Sequence, residues 1–111
     1  MRHTQTFNFK PKVKQRPRLG RRGRVFTPIQ TLEFERAVRE AWEGPCADKP
    51  VDITISLYKH KLRVTVTESK DPTSSGLRGD IDNYAKSILD GLNGVAYVDD
   101  NLVKRLLVTK H

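Results

Sequence analysis

Two runs of strict alternation, joined by three basic residues, constrain this chain most. In VDITISLY (51–58), Val51, Ile53, Ile55 and Leu57 alternate with Asp52, Thr54, Ser56 and Tyr58. In LRVTVT (62–67), Leu62, Val64 and Val66 do the same. Successive side chains of a strand point to opposite faces, so each run reads as a half-buried strand. The link Lys59-His60-Lys61 is short enough to make them a hairpin. TQTFNF (4–9) repeats the period with Phe7 and Phe9 and reads as a further strand. NLVKRLLVTKH offers a last one near 102–109.

Two segments switch to helical spacing. After Thr27-Pro28-Ile29-Gln30, the residues Leu32, Phe34, Ala37, Val38, Ala41 and Trp42 recur on one face, which predicts a helix over 28–43. Thr27 is the expected N-cap, Pro28 the first helical residue and Gln30 the partner in a capping box. Gly44-Pro45 ends the helix, and Trp42 is expected in the core. IDNYAKSILDGLNG (81–94) predicts a second helix, with Asp82 or Asn83 as cap, Tyr84, Ile88, Leu89 and Leu92 as its apolar face, and Asn93-Gly94 as its stop. Between them SKDPTSSGLRG (69–79) has loop composition. The expected fold is therefore α/β (α+β): a small mixed sheet packed against two main helices. At 111 residues, with 36% hydrophobic and 31% charged, it is expected to be one domain, 1–111, with a modest core and a loosely packed or ligand-dependent part.

Composition excludes several classes of function. No apolar run approaches a membrane span. MRHTQTFNFK carries no apolar segment of the secretory type. Cys46 is the one cysteine, which rules out a disulfide within the sequence and Cys-based zinc sites, and its default place is the core. His3, His60 and His111 lie far apart. A cytoplasmic setting is expected, with no membrane partner and no small-molecule cofactor.

The net charge of +8 favours a polyanionic partner, and its distribution is uneven. Residues 1–32 hold nine basic residues and no acid. Lys10, Lys12, Lys14, Arg16 and Arg18 alternate up to a glycine-bearing basic loop with Arg21, Arg22 and Arg24. This arm, about 10–25, is expected to contact DNA phosphates and to order on binding. Residues 80–100 hold Asp80, Asp82, Asp90, Asp99 and Asp100. Carboxylates gathered in one stretch repel unless a cation or proton lies between them. Asp80 and Asp82 share a face if extended, while Asp82, Lys86 and Asp90 share a helical face. Carboxylates holding Mg²⁺ beside DNA are the parts of a metal-dependent phosphodiesterase, in which metal activates water and stabilises the leaving oxygen. Lys86 would stabilise charge on the phosphate. The plain alternative makes Asp82 a cap, Asp99-Asp100 a turn and Lys86 a surface partner.

The run GDIDNYAKSILDGLNGVAYVDDNLV (79–103) resembles the signature of the RusA family of Holliday-junction resolvases: D-x-D-N, a lysine three residues after the Asn, D-[AG]-L-N-G and a closing D-D. RPRLGRRGRVFTP (16–28) resembles the basic segment before the first helix in RusA-like phage proteins. The resemblance implies a homodimeric α/β nuclease that resolves four-way DNA junctions by paired nicks, with Mg²⁺ or Mn²⁺, in recombination and repair. It implies Asp80, Asp82 and Asp100 as catalytic metal ligands, with Asp99 as a further candidate, and Lys86 as the lysine of the catalytic site. Asp90 matches a further acidic position, and Asn83 would orient a neighbouring carboxylate. The setting implied is a bacterial or phage-infected cell, at the nucleoid. RusA-like proteins often continue into another strand beyond the point reached by Lys110-His111, a difference that bears on the sheet and leaves the acidic motif intact. The rivals are a non-catalytic structure-selective DNA-binding protein and a flap or general structure-specific nuclease.

Overall fold

The computed structural model describes residues 1–14, 18–20, 23–71 and 73–111. They form two compact units, Met1–Lys70 and Asp71–His111. In the first, strands β1 (Arg2–Phe7), β4 (Val51–Leu57) and β5 (Leu62–Glu68) make a sheet ordered β1-β5-β4. Strands β2 (Arg18–Leu19) and β3 (Val25–Phe26) make a two-residue ladder, and helix α1 spans Ile29–Ala41. The second unit holds helix α2 (Ile81–Leu92) and a 3-10 turn, Asp100–Leu102.

The expected hairpin is present. β4 and β5 pair antiparallel from Val51↔Glu68 to Leu57↔Leu62, and Tyr58 N–H donates to the Lys61 carbonyl (3.0 Å) to close the turn. β1 pairs with the other edge of β5, from Arg2↔Thr67 to Phe7↔Leu62. The α+β class is as expected, but every strand pairing in both sheets is antiparallel rather than mixed. Because side chains alternate, the register sorts the larger sheet into two faces. One carries His3, Gln5 and Phe7 opposite Val66, Val64 and Leu62, which lie opposite Ile53, Ile55 and Leu57. The other is rich in hydroxyls, and Thr4 and Thr65 join across it (2.9 Å).

Helix α1 is fastened to the apolar face at β1. The Trp42 ring stacks on Phe7 (6.5 Å between centroids) and meets His3 edge-on (4.8 Å), while Phe9 bridges Phe7 and Phe34. The Gln5 amide donates to the Ala41 carbonyl and accepts from Glu43 N–H (2.9 Å). One side chain thereby satisfies backbone groups at the open end of the helix. Gly44 is required there, since a Cβ would fall 2.5 Å from the Trp42 ring and 2.6 Å from His3. Phe7 is buried within this cluster with Leu62 opposite it on β5, and Thr31 on α1 is buried as well.

Several expectations are corrected. The N-cap of α1 is Pro28, whose carbonyl accepts from Thr31 and Leu32 N–H, and no side chain caps it. The helix starts one residue later than expected because Pro28 is extended (ψ 141°). α2 is capped by Asp80, again with no side-chain bond, rather than by Asp82 or Asn83. β4 is less buried than its alternation suggests: Ile53, Ile55 and Leu57 are more than half exposed, since the contacts of α1 fall on β1. Cys46 is exposed rather than in the core. Residues 103–109 form no strand, because Leu102-Val103 and Leu106-Leu107-Val108 are adjacent apolar residues and give no single face at period two. Part of the expected flexible arm is the β2–β3 ladder, closed by Gly20 N–H to the Arg24 carbonyl.

Replacing Gln5 by Ala leaves the Ala41 carbonyl and Glu43 N–H without this partner. The expected cost is about 1 kcal/mol of stability, seen as a lower urea midpoint with an unchanged slope.

Candidate active site

The acidic residues lie on α2 and on the turn that follows it. Asp80 is extended (φ −71°, ψ 143°), and its carbonyl accepts Asn83 and Tyr84 N–H, which starts the helix. Asp82 stands in the first turn, where the exposed N–H groups of a helix favour negative charge. The residue before the motif is held by Tyr84: Gly79 N–H donates to its hydroxyl (3.1 Å), and a Cβ at 79 would lie 2.7 Å from its ring. The Lys110 ammonium donates to the Gly79 carbonyl (3.3 Å).

The other end of α2 turns the chain toward Asp99. Asn93 N–H closes on the Leu89 carbonyl, Gly94 takes φ +80°, and the Tyr97 hydroxyl donates to the Leu89 carbonyl (2.7 Å). Asn93-Gly94 ends the helix as the sequence predicts. Asp99 is extended (φ −151°), and its carbonyl accepts Leu102 N–H (3.0 Å), so the two adjacent aspartates open the 3-10 turn.

This arrangement brings Asp99 and Asp100 together, with Asp90 near enough to act on them. The hydrogen bond that the protonated Asp100 carboxyl donates to Asp99 holds Asp100 above the usual carboxylate range. Lost hydration and the negative charges of Asp99 and Asp90 push the same way. Tyr97 is raised chiefly by lost hydration, then by Asp100 and Asp90. Sequence reasoning missed Tyr97 and Tyr84; their spacing of two before Asp99 and two after Asp82 is the signal that was available. Asp80 and Asp82 lie at the opposite end of α2 from Asp90, eight residues or about 12 Å of helix away from Asp82. Among the described residues no three His, Cys, Asp or Glu side chains form a metal-sized group. The donor set is nevertheless of the right kind for Mg²⁺, all carboxylate oxygen, and carboxylates whose charges repel are ones that a hard cation can relieve. Lys86 and Asn83 are exposed on α2, and Lys86 forms no ion pair among the described residues.

Of the basic arm, Lys10, Lys12 and Arg24 are exposed, while Lys14 is paired with Glu35 (3.1 Å). Arg16, Arg21, Arg22 and the side chain of Arg18 lie outside the described residues.

A family model described as Endodeoxyribonuclease RusA matches residues 8–111. The chain belongs to the RusA family. No curated protein matches it, and no solved structure does. RusA membership implies a Holliday-junction resolving endonuclease, a hydrolase acting on DNA, and therefore binding to branched DNA. The RusA match spans both the basic arm and the acidic motif. Among the described residues no helix is long and apolar enough to cross a membrane.

The raised carboxyl has a defined sign. Between its ordinary and raised values the folded chain keeps a proton that the unfolded chain has lost. The stabilisation is thus complete at low pH and is lost as pH rises through the raised value. In metal-free protein followed by carboxyl-carbon NMR, Asp99→Asn is expected to lower the Asp100 midpoint, and Asp90→Asn to lower it less. An unmoved midpoint in both would show that the carboxylates do not interact.

Proposed function

We propose that this RusA-family protein is a Mg²⁺-dependent endonuclease, active also with Mn²⁺, that cuts four-way junctions by paired nicks and acts as a homodimer in recombination and repair. The observation that carries the reading is the family match over 8–111, which includes the whole string from Gly79 to Val103. Two strands of a junction need cutting, and a two-fold dimer presents two equivalent sites.

Asp80 and Asp82 at the start of α2, and Asp100 with Asp99 beyond its end, are the residues that would hold metal. When bound, the ion supplies Lewis-acid polarisation of the phosphodiester and a lowered pKa for the attacking water. Lys86 stabilises the charge that gathers on the phosphate oxygens. Asn83 orients an adjacent carboxylate. Lys10, Lys12, Lys14, Arg16, Arg18, Arg21, Arg22 and Arg24 grip the DNA backbone, which fixes position without reading sequence. Junction selectivity then rests on shape and deformability.

The test uses a synthetic mobile four-way junction, with linear duplex and flap controls. Asp82→Asn is expected to abolish cutting and spare junction binding, and Lys86→Gln to slow cutting about a hundredfold. Tight binding without cutting by wild type, in Mg²⁺ and in Mn²⁺, would establish the non-catalytic reading instead. Equal cutting of flap and junction would establish a general structure-specific nuclease.

A further inference from the structure

The tip of the β4–β5 hairpin carries a second cationic surface, on a different segment from the N-terminal arm and at the end of the sheet where β1 finishes. Tyr58, Lys59, His60, Lys61 and Arg63 are all exposed. The Lys61 ammonium lies 5.0 Å from the Tyr58 ring centroid, and the Arg63 guanidinium 6.0 Å from the same ring. No acid occurs between Asp52 and Glu68, at the far end of both strands. Among the described residues none of these cations is in an ion pair.

Like charges gathered without a carboxylate repel, and an aromatic face offsets that only in part. A fold that needed only a turn could place polar neutral residues here. The register adds hydroxyl donors: Arg63 lies between Thr6 on β1 and Ser56 on β4, on the face that also carries Thr4, Thr65 and Thr54. Lysine, arginine, serine, threonine and tyrosine side chains are the groups that contact DNA phosphates.

We propose that the hairpin tip is a second DNA-backbone contact, in which Lys59, Lys61 and Arg63 bind phosphates of a duplex arm while the Tyr58 ring keeps the latter two cations in place. The proposal rests on the DNA-binding reading above. The tip binds duplex without regard to sequence, since phosphates carry no base identity. A purely structural role for the ring is the competing account, and it predicts a change in stability with no change in salt dependence.

The experiment measures binding to a four-way junction and to a linear duplex as salt is raised, with catalysis blocked by omitting divalent cation. Each phosphate neutralised contributes about 0.9 to the slope of log affinity against log salt. Lys59→Gln/Lys61→Gln/Arg63→Gln is expected to flatten that slope by about 2 to 3. At the lower end of that range, the wild-type advantage shrinks about tenfold between about 50 and 200 mM salt. Lys59→Gln alone, at a turn position outside the ladder, is expected to flatten the slope by about 1 and decides the question if the triple variant melts early. A Lys10→Gln/Lys12→Gln/Lys14→Gln variant reports on the arm independently. A wild-type slope in both hairpin variants, with a flattened slope in the arm variant, overturns the hairpin contact and leaves the DNA-binding reading standing. No salt-dependent binding by wild type overturns both.

Discussion

Strand β5 is the constraint on which the first unit depends. Both β1 and β4 pair with it and neither pairs with the other, so one strand sets the register of all three. That register decides which face meets the helix. Slipping β5 by one residue would exchange Val64 and Val66 for Arg63 and Thr65, and would put a cation on the face that meets Trp42. Gln5 fixes the same choice from the other side. It is the polar member of the row His3, Gln5, Phe7, and it belongs there because the end of α1 offers it a carbonyl and an N–H. The helix is therefore located by hydrogen bonds as well as by the aromatic contacts of Phe7, Phe9, Phe34 and Trp42.

In the second unit the organising element is α2. It separates the acidic residues into two groups, with Asp80 and Asp82 where the helix begins, and Asp90 toward its end with Asp99 and Asp100 after the turn. The first group sits beside the unpaired N–H groups at the start of the helix. The second is a repelling set, in which Asp99 and Asp90 push the Asp100 carboxyl upward. The two ends thus place their carboxylates in different surroundings.

Periodicity made the hairpin and both helices legible, because Val51 to Leu57, Leu62 to Val66 and Ile81 to Leu92 each keep one period over their full length. The acidic string was legible as a family signature, since the order of its residues is far more specific than any aspartate in it. Helix starts were not legible. Thr27 and Asp82 have the right chemistry for caps, yet the backbone turns at Pro28 and Asp80, and a cap is decided by which residue is extended. The exposure of Cys46, Ile53 and Ile55 was equally hidden, because composition says that a residue can be buried and only tertiary contact says that it is. The role of Gln5 required knowing that β1 passes the end of α1.

The order β1-β5-β4 also has a consequence for synthesis. The partner of β1 is made about 60 residues after it, while β4 and β5 follow one another through a tight turn. At about 5–20 residues per second, translation leaves β1 without its partner for about 3 to 12 seconds. During that interval the backbone of β1 lacks its strand partner, and the cations from Lys10 onward follow it closely. Charge beside an unpaired strand discourages edge-to-edge association. The basic run therefore places charge next to that strand throughout the time it is unpaired.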